Sequence, residues 1–402
     1  AGSVAIVFGV MAVPVVLGAG VAIDMVRSSD AKAELQWALD AGALAAASSG
    51  NLSDSEREQI AQQTFAANFD PADGVDVVPT ISITGGAVTM SVDYEFPTAF
   101  MRVAGINTVD IGSSVTVKLP ESKKAEIALV LDYSGSMDEV TKGQRKYKVM
   151  RDAAIQMVDD MTEQGTSDRV KFGLVPFSHH VRVTMPGKYI VGADPTVEWT
   201  GCTQDRMYPH NLSDDIPAVS NDDTKWGQVQ APEHISEDCS PYEPKSLTVR
   251  PISDDRDAIV SQLQDMEPNA WTHIGLGFSF GWQLVAPNGL FGNVAPYDDD
   301  ETMKVVVLLT DGRQTEPSFG PGGSRTVSHG ESNLEELCAN AKAKNVTVVT
   351  VAFDLQHQAT EDRLRNCSSD PDKYFFIADD GAELVSSFEE IKNQLQQAIY
   401  IA

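Results

Sequence analysis

Hydrophobic positions run without interruption at the start of the chain. From Gly2 to Ile23 there is no charged residue, and Ala, Val, Ile, Leu, Phe and Met dominate. About twenty such residues are what a helix needs to cross a hydrocarbon core. Pro14 would kink that helix, which membrane helices tolerate. A cleaved signal peptide fits less well, because the apolar run is too long and no basic leader precedes it in the chain. Ala31 to Ala47 is rich in Ala, Leu, Glu and Gln, strong helix formers, so the helix is predicted to continue. Ala38, Gly42 and Ala46 recur every four residues and form a smooth face, open either to a second helix or to packing on the chain's own domain. Ser49-Gly50-Asn51 stops this helix, and Ser53 with Glu56 makes a capping box for a second one ending near Phe69.

Between Asp76 and Leu119 the period shortens to two. Val75-Asp76-Val77-Val78 and Ile81-Ser82-Ile83-Thr84 lead into Gly85-Gly86, and Val88-Thr89-Met90-Ser91-Val92 returns, which reads as a hairpin. A short helical piece from Pro97 to Gly105 and a third strand from Val109 to Leu119 follow. Residues 50–120 are therefore expected to form a small α+β domain with antiparallel strands, after the N-terminal helix of residues 1–49.

Beyond residue 121 the pattern changes again. Ile127-Ala128-Leu129-Val130-Leu131 and the run from Lys304 to Thr310 are unbroken apolar stretches, read as strands buried on both faces. Arg169 to Phe177, Val346 to Phe353 and Tyr374 to Ile377 add strands. Arg145 to Glu163, Asp255 to Met266, Ile274 to Val285, Glu331 to Lys344 and Ala382 to Ile401 add helices. This alternation predicts an α/β fold for residues 121–402, a doubly wound, mostly parallel sheet covered on both faces. Residues 178–250 break it with Pro, Asp, Asn and Trp, and are expected as a long insertion able to shape the rim of a site.

Composition narrows the partners. Thirty basic against 58 acidic side chains give a net charge of -28 over 402 residues, so a phosphate backbone would be repelled and nucleic acid is excluded as a partner. Short acidic clusters such as Asp298-Asp299-Asp300-Glu301 lack the spacing of a calcium-binding loop and read as solvated turns. Four cysteines, Cys202, Cys239, Cys338 and Cys367, form no Cys-x-x-Cys pair. Beside a membrane segment they point to an oxidising compartment, and the favoured of three pairings is Cys202 with Cys239 and Cys338 with Cys367.

Candidate chemistry gathers where the buried strands end. Asp132-Tyr133-Ser134-Gly135-Ser136 follows the first, and Asp311-Gly312 the later one, with Thr272 in a loop before a helix. Residues two apart in a loop can point the same way, so Asp132, Ser134 and Ser136 can offer hard oxygens to a divalent cation. Ser178-His179-His180 reads as an exposed strand-end pair of histidines rather than a nucleophile or ligand pair. Trp271 and His273, on either side of Thr272, either line the rim or simply pack. No Gly-x-Ser-x-Gly, His-Glu-x-x-His or phosphate-loop motif is present, and no enzyme is expected.

The order Asp-x-Ser-x-Ser, then Thr, then Thr-Asp-Gly resembles a von Willebrand factor type A domain with a complete metal-ion-dependent adhesion site, over about Lys124 to Ala402. The resemblance implies that Ser134, Ser136 and Thr272 touch a Mg2+ or Ca2+ ion through hydroxyls and that Asp132 and Asp311 bind directly or through water. It also implies a sixth position open to a partner's Asp or Glu. The start of the chain is similar to mature pilins and pseudopilins, although Ala5 stands where they carry Glu. A further resemblance, to TadG-like proteins of the tight-adherence (Flp) pilus-assembly system, rests on Val21-Ala22-Ile23-Asp24, the run Leu35-Gln36-Trp37-Ala38-Leu39-Asp40-Ala41-Gly42-Ala43-Leu44-Ala45-Ala46-Ala47, the hairpin and the domain order.

These readings lead to a membrane-anchored or pilus-associated adhesion or assembly protein of the bacterial envelope. Its bulk would lie outside the inner membrane or on a surface pilus, and its partners would be envelope assembly components and a carboxylate-bearing protein. The alternative is a structural, minor pilin-like filament subunit in which the metal only stabilises the fold.

Overall fold

The computed structural model describes residues 2–50, 52–71, 77–119, 123–162, 169–229, 239–292 and 294–400. Val75-Asp76 of the expected first strand, Glu163 at the end of a predicted helix and Ile401 lie outside the described residues. The chain divides into two compact units, Ala1–Ser122 with Tyr400–Ala402, and Lys123–Ile399.

In the first unit, α1 (Gly2–Ala47) is one helix of 46 residues, about 69 Å long at 1.5 Å per residue. Its two parts differ in environment. Phe8, Val10, Val15 and Val16 are exposed, whereas Leu35, Ala38, Leu39, Ala43 and Ala46 are fully buried. They share a core with Phe65 of α2 (Asp54–Asn68) and with Val88, Met90 and Tyr94. A Cβ on Gly42 would sit 2.8 Å from the Ala61 carbonyl. The smooth Ala38-Gly42-Ala46 face is therefore used within the unit, where it lets α1 and α2 approach closely, and is not left open for a second chain.

The Ser53 capping box forms as the sequence implies, with Ser53 N donating to Glu56 Oε2 at 2.9 Å and Glu56 N to Ser53 Oγ at 3.3 Å. Strands β1 (Thr80–Thr84), β2 (Ala87–Pro97) and β3 (Thr108–Lys118) pair antiparallel in the order β1-β2-β3. Gly85 and Gly86 take positive φ at the turn, the conformation such a two-residue hairpin requires. Along β2 every second residue, from Val88 to Phe96, is buried, which is the period-two pattern of a sheet with one face covered.

The second unit follows the predicted alternation. In chain order its main elements are β4 (Lys124–Asp132), α3 (Lys146–Thr162), β5 (Val170–Phe177), β6 (Val181–Pro186), β7 (Glu198–Gln204), β8 (Gly227–Gln228) and β9 (Arg250–Ser253). Then come α4 (Arg256–Asp265), α5 (Ile274–Val285), β10 (Thr302–Thr310), α6 (Val327–Ala343), β11 (Val346–Phe353), α7 (Gln358–Cys367), β12 (Phe375–Ala378) and α8 (Gly381–Tyr400). Six strands form one sheet in the order β9-β5-β4-β10-β11-β12, all parallel except β9 at one edge.

Ala128, Val130, Val306 and Leu308 pack with α5 and α6; Ile127, Leu129 and Leu131 point to the opposite face and are equally buried. Helix α5 is buried along its whole length. A Cβ on Gly281 would fall 2.2 Å from Val130 Cγ2, and one on Gly277 2.6 Å from Phe177 Cγ, so the two glycines allow this helix to lie directly on the sheet.

Within 178–250, the described residues hold more regular structure than the sequence implies. Here β6, β7 and β8 form a separate antiparallel sheet in the order β8-β7-β6, and Cys202 on β7 is bonded to Cys239. The polar or very short sequences of β7 and β8 hide these strands, which are held by the staple and by Trp226, buried against Phe280; β6 alternates, with Val181, Val183 and Met185 buried, and carries a readable period-two signal. Cys338 on α6 is bonded to Cys367 at the end of α7, a helix whose short and mostly polar sequence gave no signal.

Candidate metal centre

At the carboxyl ends of three neighbouring strands of the main sheet stand three aspartates: Asp132 as the last residue of β4, and Asp311 and Asp354 as the first residues after β10 and β11. In a parallel sheet this edge is where ligands bind. Backbone bonds draw the adjoining loops together there. Gly135 N donates to Ala270 O at 2.7 Å, Asn269 N to Tyr133 O at 2.6 Å, and His273 N to Ser178 O at 2.7 Å. Thr272 is held from the other side, its N–H donating to Thr315 Oγ1 at 2.9 Å.

The predicted side chains meet at this edge. Ser134 and Ser136 hydroxyls lie 3.1 Å apart, and Ser136 Oγ donates to Asp311 Oδ1 at 2.6 Å. A Cβ built on Gly312 would be 3.6 Å from both Ser136 Oγ and Thr272 Oγ1. Only glycine leaves that space between the hydroxyls open. Asp132 is oriented by its own surroundings: Oδ1 accepts from Ser134 N at 2.8 Å and Oδ2 from the Thr310 hydroxyl at 2.6 Å.

Charge is concentrated and poorly hydrated. Burial, and then the neighbouring Asp311 charge, raise the Asp132 carboxyl above its ordinary range; burial raises Asp311 as well. One cation already answers part of this demand. Lys146 Nζ, at the start of α3, lies 3.0 Å from Asp311 Oδ2 and 3.1 Å from Asp354 Oδ2. Burial opposes its charge, but Asp311 and Asp354 outweigh it and hold the ammonium pKa above its usual value.

Three carboxyl groups stand against one ammonium here, two of them buried and raised in pKa by that burial, and hydroxyl and carboxylate oxygens are the donors a hard divalent ion prefers. The set fits such an ion. Among the described residues no group of three or more His, Cys, Asp or Glu is placed to hold a metal, so a cation here depends on hydroxyls.

Sequence reasoning missed Lys146, Thr310 and Asp354. Asp354 carried a usable signal, its place immediately after a buried parallel strand; Lys146 lies within the predicted helix Arg145 to Glu163, where nothing in the sequence singles it out. The histidine reading needs correction. His179 and His180 are both buried, their ring centroids 4.2 Å apart, and Tyr242 from the insertion covers them, its hydroxyl 3.0 Å from His179 Nδ1.

His273 does not line the rim. Its Nε2 lies 3.2 Å from Asp205 of the insertion, and its Nδ1 caps α5 by accepting from Leu276 N at 3.1 Å. Gln314 Oε1 accepts from Ile274 N at 2.7 Å, joining the Asp311 loop to the Thr272 loop. Trp271 is exposed and borders an open depression with Arg313, Thr315, Glu316 and Glu331.

Two parts of the chain match known family models. Residues 2–49 match the family described as putative Flp pilus-assembly TadE/G-like, and residues 245–391 match the von Willebrand factor type A domain. The second match includes Thr272 and Asp311 but begins after the Asp132 loop. No curated protein matches the chain. Similar solved structures include the pilus adhesin SpaC of Lactobacillus rhamnosus GG in an open conformation, with 13% identity, 80% of this chain and 34% of that one covered, and a TM-score of 0.42. The vWF domain of the type V pili tip protein Mfa5 from Porphyromonas gingivalis matches with 11% identity, 69% and 97% coverage and a TM-score of 0.43. The PilB minor pilin of Streptococcus sanguinis matches with 13% identity, 81% and 79% coverage and a TM-score of 0.41. The chain thus spans about a third of the length of SpaC. In domain content the chain is TadG-like, joining a TadE/G-like N-terminal segment to a C-terminal von Willebrand factor type A domain.

Proposed function

We propose that this chain is a membrane-anchored, pilus-associated adhesion or assembly protein that binds a protein partner through a divalent cation held by Asp132, Ser134, Ser136, Thr272 and Asp311. The observation that carries the reading is the meeting of oxygens from three separate loops beside the unfilled space at Gly312. The bound ion would supply a Lewis-acidic attachment point for an Asp or Glu carboxylate of the partner. The protein's own contribution is orientation: Thr310 and the Ser134 amide fix Asp132, and Lys146 fixes the outer oxygen of Asp311. Neutral hydroxyls leave more of the ion's charge for the partner than additional carboxylates would.

Calorimetric titration with Mg2+ and Ca2+ tests the reading. The parent protein is expected to bind one ion, and Asp132→Ala to lose at least tenfold in affinity while keeping its circular dichroism spectrum. Retention of envelope proteins on the immobilised chain should then require the ion and disappear with chelator; retention unaffected by both the chelator and Asp132→Ala overturns the metal-bridged mechanism. The long apolar face of α1 supports a second reading, a structural filament subunit in which the cation only stabilises the fold. It predicts filaments of the purified full chain in electron micrographs, lost when residues 1–49 are deleted.

A further inference from the structure

Asp24 is the first charged residue of α1 and is fully buried, although Ile23 and Met25 beside it are exposed. What buries it is a single loop. Asp24 Oδ1 accepts from Ala99 N at 3.0 Å, and Oδ2 accepts from Phe100 N and Met101 N, each at 2.7 Å. Arg27 lies 3.5 Å from the same carboxylate and 5.4 Å over the Phe96 ring. Gly20 completes the attachment, since a Cβ there would fall 2.7 Å from Phe100 Cβ. The loop is also closed on itself: Thr98 N donates to Asn107 O at 3.0 Å and Thr98 Oγ1 to Ile106 O at 2.6 Å. Residues 98–107 are therefore a stiff unit fastened to α1 at the level of residues 20–24.

That loop carries an unusual surface for this protein. Phe100, Val103 and Ile106 are 48%, 77% and 45% exposed. In a chain with 58 acidic side chains, residues 98–107 contain no Asp or Glu and one basic residue, the exposed Arg102. Its height along α1 gives the surface a meaning. The uncharged residues 2–23 rise roughly 33 Å as a helix, about the thickness of a hydrocarbon core. The loop is thus fixed where such a span would leave the lipid, and Val15, Val16 and Val21, earlier on the same helix, are exposed as well.

We propose that residues 98–107 form an interfacial anchor, with Phe100, Val103 and Ile106 entering the acyl–headgroup boundary of a phospholipid bilayer and Arg102 meeting anionic headgroups. Asp24 is the positioning residue that fastens this anchor to the transmembrane part of α1. The inference rests on the membrane-anchor part of the function proposed above. Side chains of this kind bind a bilayer by burying apolar area in the boundary layer, aided by basic charge. Anchoring at the loop as well as through the helix would limit how far the first unit can tilt over the membrane.

The test uses the full chain in liposomes of phosphatidylethanolamine and phosphatidylglycerol, with or without bromine on the acyl chains. Tryptophan is added either in the span, Val15→Trp, or in the loop, Val103→Trp, and the emission of the parent protein is subtracted. Bromolipid is expected to remove most of the added emission in both variants. Combining Asp24→Ala with each is expected to restore the emission of the Val103→Trp protein while leaving that of the Val15→Trp protein quenched, an outcome a merely misfolded helix would not give. Quenching in the span variant without quenching in the loop variant overturns the anchor and leaves the span in place; quenching in neither overturns both readings. Loop emission that ignores bromine but changes with protein-to-lipid ratio assigns the loop to a second copy of the chain, and also overturns the proposal.

Discussion

Lys146 shows how much of the candidate centre depends on one side chain outside the ligand set. Its ammonium bridges Asp311 and Asp354, and both Lys146 and Asp311 are buried. Removing one member of a buried ion pair leaves the other uncompensated, at a cost of about 3–5 kcal/mol. Lys146→Met keeps the length of the side chain and removes the charge. It is expected to lower the melting temperature sharply in chelator and to recover much of that loss when Mg2+ is added, because the ion replaces the missing positive charge. Scanning calorimetry with and without Mg2+ checks this; an equal loss under both conditions would show that the lysine acts by packing alone. At this scale the sequence singles out Asp132, Ser134, Ser136, Thr272 and Asp311 as candidate ligands, because their types and order suit a hard cation. It was silent on Lys146, because a lysine at the start of a helix ordinarily faces water.

Elements were legible where burial is uniform and illegible where stability comes from covalent or long-range contacts. The runs that became β4, β10 and β11 could be read directly, since strands covered on both faces need unbroken apolar sequence. Strands β7 and β8 could not, because their polar residues are held by a disulfide and by Trp226 packed on a distant helix; β6, whose Val181, Val183 and Met185 alternate inward, could have been. The same insertion changes the character of His180. Burial, followed by the nearby His179, His273 and Arg325, pushes its imidazole pKa down to about 2, and Tyr242 covers it without offering a counter-charge.

A folded-state pKa below the unfolded value means that the unfolded chain binds more protons as the pH falls. The contribution of His180 is therefore complete above about pH 6.5 and declines below it, by at most about 1.4 kcal/mol per pH unit. Thermal denaturation from pH 7.5 to 5 should show this decline, and His180→Gln should flatten it. A profile unchanged by the substitution would place the acid sensitivity elsewhere.

At the scale of the whole molecule, the two units have separate hydrophobic cores. One is built from α1, α2 and β2, the other from the six-stranded sheet and its helices. The candidate ligands, together with Lys146, Thr310 and Asp354, all belong to the second unit, and so do both disulfides. Among the described residues, the geometry of the cation site draws on none before Lys123. Residues 123–402, expressed in an oxidising compartment, are accordingly expected to fold without the apolar helix and to bind Mg2+ within about threefold of the full chain's affinity, since sites without shared partners act additively. The check is calorimetric titration of both proteins in the same buffer, with Asp132→Ala as the blank. A folded fragment that binds the ion far more weakly would mean that the first unit shapes the site from a distance, and membrane attachment would then have to be considered part of the binding mechanism.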